Sequence, residues 1–178
     1  MKRALFFLFL IYTSSMYCQQ IQPTDYLLID KRAEVTFGYR VAHNRLIDIV
    51  VLHSTYSLGK DSFDIQTVLA QFKKYGVCAH YIIGRGGEIY YAVNEKHVAY
   101  HAGRSVLPGT TRTNLNTNSI GIEIINTKTT PPSNQQYQAL RFLIKELQQR
   151  HPIKYIVRHS DIAPGRKTDP WLFEWEGF

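Results

Sequence analysis

Apolar and polar positions follow two rhythms along this chain. Residues 47–52 (Ile-Asp-Ile-Val-Val-Leu) form a short, β-branched run that predicts a buried central strand ending at His53. Asp61 or Ser62 can then cap a helix to Lys74, because Ile65, Val68, Leu69 and Phe72 recur at helical spacing, and Gly76 stops it. Residues 79–83 and 88–93 read as a hairpin that turns at Gly84-Arg85-Gly86-Gly87. In residues 119–125, Ile120, Ile122 and Ile124 share one strand face, which puts Gly121 and Glu123 together on the other. Pro131-Pro132-Ser133 introduces a second helix to about Arg150, with Tyr137, Leu140, Ile144 and Leu147 as its core stripe. Residues 153–157 predict a last strand, which delivers His159. Ahead of these, residues 26–29 and 35–39 are short apolar-rich pieces that read as edge strands or a lead-in arm. Strands alternating with two amphipathic helices predict a single α/β domain, a mixed central β-sheet flanked by α-helices.

The N-terminus breaks both rhythms. Lys2 and Arg3 precede an apolar run over residues 4–12, followed by Thr13, Ser14 and Ser15, which is the pattern of a secretory signal and too short to span a bilayer. The chain therefore divides into a leader at 1–18, a lead-in at 19–46 and the main domain at 47–178. Cleavage is expected near Cys18-Gln19. Lipidation of Cys18 would instead anchor the protein to a membrane, but bulky Tyr17 stands where a small residue is expected. Export, to the periplasm or the exterior, changes what the charge means. The net +7 falls to about +5 without Lys2 and Arg3, and a basic exported protein meets anionic cell-wall polymers and membrane surfaces rather than nucleic acid, for which no motif is present. A merely solvated basic surface would have the same composition. With Cys18 in the leader, Cys78 has no partner, and its apolar neighbours Val77 and Ala79 predict a buried, inert thiol. The 178 residues suit one domain, taken as a monomer. The 13% of aromatic residues fits a rich core as well as it fits a sugar-facing groove.

Candidate chemistry sits at strand ends. His53 and His159 each follow an apolar strand, at the sheet rim where open α/β sheets place their sites. With Asp169 they supply two imidazoles and a carboxylate, a set that suits zinc and leaves one coordination position open. A closed structural site would call for four ligands, usually with several cysteines. Such residue types can be picked from most sequences, so an ordinary structural role for each histidine stands beside the metal reading. Glu123, on the face that Gly121 clears of bulk, could accept a proton from an attacking water and pass it to a leaving nitrogen; it could equally be a solvent-facing glutamate on an edge strand. Lys167 could face an oxyanion or could be a surface lysine in a basic loop that Pro164 and Pro170 stiffen.

Five segments, in order, narrow these alternatives: Ile49-Val-Val-Leu-His53, Ala79-His-Tyr-Ile-Ile-Gly-Arg-Gly-Gly-Glu-Ile-Tyr90, Tyr100-His-Ala-Gly103, Asn116-Thr-Asn-Ser-Ile-Gly-Ile-Glu123 and His159-Ser-Asp-Ile-Ala-Pro-Gly-Arg-Lys-Thr-Asp-Pro170. Together they resemble the zinc-dependent N-acetylmuramoyl-L-alanine amidases of the second amidase family, related to peptidoglycan-recognition proteins and phage-type amidase lysozymes. The last segment is the most specific. The resemblance implies Zn2+ held by His53, His159 and Asp169, with Glu123 as general base and acid and Lys167 stabilising the tetrahedral intermediate. It implies that His101 lines the substrate groove and that Arg85, Asn116 and Arg166 lie near the carboxylates of a peptidoglycan stem peptide. His80 matches a structural histidine. The substrate implied is peptidoglycan or its muropeptides, cut between N-acetylmuramic acid and L-alanine. The rivals are a non-catalytic peptidoglycan-binding module, whose members typically lose a zinc ligand, and a zinc endopeptidase. Departures are Gly86 where aspartate is usual, Tyr100 where tryptophan is more frequent and Trp171 where glycine is common.

Overall fold

A computed structural model describes residues 26–59 and 61–176; the expected leader, with Cys18, lies outside them. The strands are β1 (Leu28–Asp30), β2 (Tyr39–Arg40), β3 (Ile49–Thr55), β4 (Tyr81–Ile83), β5 (Ile89–Tyr91), β6 (Val98–Ala99), β7 (Ser119–Ile125) and β8 (Tyr155–Arg158). The helices are α1 (Ile65–Tyr75), α2 (Asn134–Arg150) and α3 (His159–Ile162). Six strands form one sheet in the order β1-β5-β4-β7-β3-β8. The central ladders β4–β7, β7–β3 and β3–β8 are parallel, whereas β4–β5 is the antiparallel hairpin, so the sheet is mixed as the element pattern predicts. β2 and β6 pair separately.

β3 and β7 lie at the centre, where parallel strands covered on both faces become continuous apolar runs. Parity divides their side chains. Val50 and Leu52 of β3 and Ile120, Ile122 and Ile124 of β7 pack against Leu140, Leu143, Ile144 and Leu147 of α2. Each such side chain stabilises the fold by about 1.5–3 kcal/mol on burial. Ser133 caps α2 through a reciprocal box with Gln136, and the Gln136 amide donates to the carbonyls of Ile83 and Ile125, which ties the helix start to the ends of β4 and β7. On the opposite face, Val68, Leu69 and Phe72 of α1 cover Ile82.

Several boundaries differ from the expected ones for identifiable reasons. β3 runs on to Thr55, because His53, Ser54 and Thr55 continue the ladder opposite Glu123, Ile124 and Ile125. His53 is thus inside a strand rather than after it. α1 starts at Ile65 under Asp64, whose carboxylate accepts from Thr67 N at 2.7 Å; Asp61 instead closes a local turn onto Phe63 N at 2.8 Å. Gly76 ends α1 in the left-handed conformation at φ 64°. Within the expected lead-in, β1 pairs with β5 at the sheet edge, and Val35 is buried. The long connection over 105–118 is folded down by a Val106–Thr113 bridge, a short 3-10 turn at Leu115–Thr117 and an Arg112–Asp48 ion pair at 2.7 Å.

Candidate metal centre

The parallel ladder sets His53 of β3 directly beside Glu123 of β7, and both project from the face that α2 does not cover. β8 then hands the chain to α3, whose first residue is His159. The return of Asp169 is fixed by the backbone: Ser160 N donates to the Asp169 carbonyl at 2.9 Å, and Arg166 N and Lys167 N both donate to the Ala163 carbonyl. The result brings His53 Nδ1 to 2.8 Å from His159 Nδ1, with Asp169 Oδ2 at 3.0 Å from His159 Nδ1 and 3.5 Å from His53 Nδ1. All three residues are buried.

The donor set fits a zinc ion. Ligand atoms at about 2.0–2.2 Å from a common centre stand roughly 3.3–3.5 Å apart in a tetrahedral arrangement, near the observed separations. His159 Nε2 lies 3.2 Å from the Ala102 carbonyl, which can only accept, so that nitrogen carries the hydrogen and Nδ1 keeps its lone pair. Burial, together with neighbouring His159, pushes His53 down to about 4 and keeps it neutral. Burial alone would raise the Asp169 carboxyl, but the adjacent His159 and His53 outweigh it and hold the group well below the usual carboxylate range. Two imidazoles and an ionised carboxylate thus converge on one point, forming a buried metal-binding triad suited to catalytic Zn2+.

A cavity of about 410 Å3 opens on the triad and is lined also by Glu123, Lys167, Tyr56, Tyr100 and Trp171. Glu123 Oε2 is buried without a hydrogen-bond partner. Burial, and then the charge of Asp169, push its carboxyl up to about 8, with Lys167 acting in the opposite sense. β7 is central, between β4 and β3, so Glu123 is not an edge-strand glutamate facing solvent. Lys167 is exposed at the rim. Cys78 reaches the same lining, and burial pushes its thiol up to about 12, in keeping with an inert cysteine.

The remaining sequence-predicted residues divide. His101 lines the cavity but is nearly buried, with Nδ1 3.0 Å from His53 Nε2 and Nε2 3.2 Å from Ser119 Oγ. Asn116 lies beneath it and not in the lining; its Oδ1 accepts from His101 N at 3.2 Å and Ala102 N at 2.8 Å. The Arg166 guanidinium donates to the carbonyls of Ala102 and Arg104, bracing the loop that carries Lys167. Arg85 is away from the cavity, donating to Pro131 O and Gln136 Oε1 with its guanidinium over the Phe63 ring. His80 accepts from Gly121 N at 3.0 Å and contacts the His97 carbonyl at 3.1 Å, and it is neither in the triad nor in the cavity lining. Sequence reasoning missed Ser119, fully buried against His101. Its only signal is parity: residues 119, 121 and 123 share the non-isoleucine face of β7.

Residues 43–171 match the family model described as N-acetylmuramoyl-L-alanine amidase. Over 118 residues the chain is 39% identical to the 1,6-anhydro-N-acetylmuramyl-L-alanine amidase AmpD of Enterobacter cloacae, a stretch covering 65% of this chain and 62% of that protein. The chain thus spans less than two thirds of the length of that curated relative. A crystal structure of a selenomethionine AmpD derivative superposes with a TM-score of 0.70 at 30% identity, covering 84% of this chain and 90% of that one. AmiD from E. coli, in complex with the substrate anhydro-N-acetylmuramic acid-L-Ala-D-gamma-Glu-L-Lys, superposes with a TM-score of 0.63 at 35% identity, covering 76% and 57%.

Proposed function

The chain belongs to the N-acetylmuramoyl-L-alanine amidase family, and from that premise we propose that it hydrolyses the amide bond between N-acetylmuramic acid and L-alanine in peptidoglycan or its fragments. The observation that carries the reading is a buried, unpartnered Glu123 Oε2 in the same cavity as a convergent His53, His159 and Asp169.

A zinc ion bound there supplies a Lewis acid that polarises a carbonyl and lowers the pKa of water. Glu123 does the proton work. Burial raises its pKa in the metal-free protein, and a cation bound beside it would lower it again, leaving a carboxylate that can collect the proton of an attacking water and return it to a leaving nitrogen. Water oxygen becomes part of the lactyl carboxylate, the C–N bond breaks, and the alanine nitrogen leaves as a free amine. Lys167 sits on the rim, where its ammonium can oppose the negative charge that grows on the carbonyl oxygen. Tyr56, Tyr100 and Trp171 offer apolar faces to a sugar ring or peptide stem. The expected leader supports an exported location, periplasmic or extracellular, in which the basic chain works as a monomer on an anionic polymer with no nucleic-acid partner.

Digestion of purified peptidoglycan by the zinc-loaded protein, with mass spectrometry of the products, tests this. Intact stem peptides with free L-alanine amino termini are the expected result. New termini within the stem would identify an endopeptidase, and binding without products a recognition module. Glu123→Ala should keep zinc and wall binding while losing cleavage; full activity in that variant would remove Glu123 from the mechanism.

A further inference from the structure

Beyond the triad lies a chain of hydrogen bonds that no ligand role accounts for. Ser119 Oγ is 2.6 Å from the Leu115 carbonyl and 3.2 Å from His101 Nε2, and His101 Nδ1 is 3.0 Å from His53 Nε2. Every group on this path is buried. Proton bookkeeping assigns its direction. A carbonyl can only accept, so the hydrogen between the two oxygens belongs to Ser119 and points at Leu115. Ser119 Oγ then has only lone pairs to offer His101, so His101 Nε2 carries the ring hydrogen and Nδ1 is bare. A bare His101 Nδ1 takes its hydrogen bond from His53 Nε2–H. That leaves His53 Nδ1, the atom facing His159 and Asp169, with a free lone pair.

The opposite direction fails at its origin. Were Ser119 to donate to His101, two oxygens would stand 2.6 Å apart with no hydrogen between them. It would also place a hydrogen on His53 Nδ1, where the ion must bind.

The seat of His101 is built to hold this orientation. A Cβ on Gly121 would lie 2.4 Å from His101 Cγ, so the ring occupies space that only glycine leaves open on the site face of β7. The His101 ring stands edge-on to His53, with centroids 5.1 Å apart at 81°, and to His80, at 5.7 Å and 70°. Asn116 Oδ1 holds the His101 backbone N–H at 3.2 Å.

We propose that Ser119 and His101 are positioning residues for the metal: the relay Leu115–Ser119–His101 fixes His53 in the one tautomer that presents Nδ1 to the ion. The proposal rests on the metal triad and not on which bond is cut. His159 is served by a parallel device, the Ala102 carbonyl, so both imidazoles are oriented by acceptors on their far side.

The test is Zn2+ affinity, measured by competition with a chromophoric chelator on metal-free protein, with the visible spectrum of the Co2+-loaded protein as a second readout. His101→Leu leaves His53 Nε2–H without an acceptor and should weaken zinc about 10–100-fold. His101→Asn puts an amide oxygen near the place of Nδ1 and should recover most of that loss, which a purely space-filling role for His101 would not allow. Ser119→Ala should weaken zinc several-fold and alter the Co2+ spectrum while the melting temperature of the metal-free protein stays close to wild type. If His101→Leu does not fold, Ser119→Ala decides alone. Wild-type zinc affinity in Ser119→Ala with an unchanged Co2+ spectrum, or His101→Asn binding as poorly as His101→Leu, overturns the relay. A wild-type protein that binds zinc through this relay yet releases no peptide from peptidoglycan would refute the proposed reaction and leave the relay standing.

Discussion

Replacing Glu123 by glutamine tests the electrostatics of the cavity with no substrate present. Burial and the Asp169 charge raise the Glu123 carboxyl from 4.5 to about 8. Between those values the folded protein holds a proton that the unfolded chain has released, so stability falls as pH rises through the window and the loss is complete above it. At about 1.4 kcal/mol per pH unit, the interval amounts to a ceiling of about 5 kcal/mol. Glu123 is partly exposed to the cavity, and solvent screening reduces the expectation to about 2–3 kcal/mol. Glutamine keeps the shape and cannot ionise. In metal-free protein, Glu123→Gln should therefore match wild type closely at pH 5 and exceed it by about 2–3 kcal/mol at pH 9. Urea unfolding of both proteins at pH 5, 7 and 9, with a chelator present, measures the difference, and His53 and Asp169 cancel because both proteins carry them. Zinc loading should shrink the gap, since a nearby cation favours the ionised carboxylate. A difference that is the same at all three pH values, or wild type gaining on the variant as pH rises, would refute the reasoning.

Three further outcomes follow from the geometry. Lys167→Met should lower turnover of muropeptides about 100–1,000-fold while leaving chelator-measured zinc affinity near wild type, because Lys167 is at the rim and not in the triad. Gly121→Ala forces a Cβ to within 2.4 Å of His101; it should cost about 1–3 kcal/mol in urea unfolding and weaken zinc binding in the same protein. Zinc at about 1,000 times its Kd should stabilise wild type by about 4 kcal/mol, seen as a raised melting temperature, and Asp169→Asn should abolish most of that increment.

Legibility in the sequence tracks how much of each element is decided locally. β7 is readable because Ile120, Ile122 and Ile124 alternate and Asn126 ends the apolar run. β3 is not, since His53, Ser54 and Thr55 are polar yet remain in the ladder for reasons that belong to β7 across from them. The start of α1 is obscured by competing acids: Asp61 has the composition of a cap but closes a turn, and Asp64 does the capping. α3 is a single turn, too short for any periodic signal. The triad is legible because His53 and His159 come at the ends of apolar runs and Asp169 precedes a proline. The surroundings of Arg85 and Asn116 are not, because their partners are backbone atoms and a side chain brought near only by the fold: Pro131 O and Gln136 Oε1 for Arg85, the amides of His101 and Ala102 for Asn116.

One strand, β7, carries both the stability and the chemistry of this domain, and strand parity keeps them apart. Its even residues, Ile120, Ile122 and Ile124, bury themselves against α2; of its odd residues, Ser119, Gly121 and Glu123 orient His101, make room for it and face the metal triad, and Ile125 joins the apolar cluster under α1. A slip of one residue would exchange the two sets, putting Glu123 into the apolar layer and Ile122 opposite the zinc ligands. Register is therefore the quantity the fold must protect. The ladder to β3, continuous from Ile49–Ser119 to Thr55–Ile125, protects it along the strand, and Gln136 holds the far end by bonding the Ile125 carbonyl. The apolar face thereby offsets a costly polar one: an unpartnered carboxylate oxygen and a cluster of neutral histidines persist in the interior because the isoleucines behind them leave the strand no other place to lie.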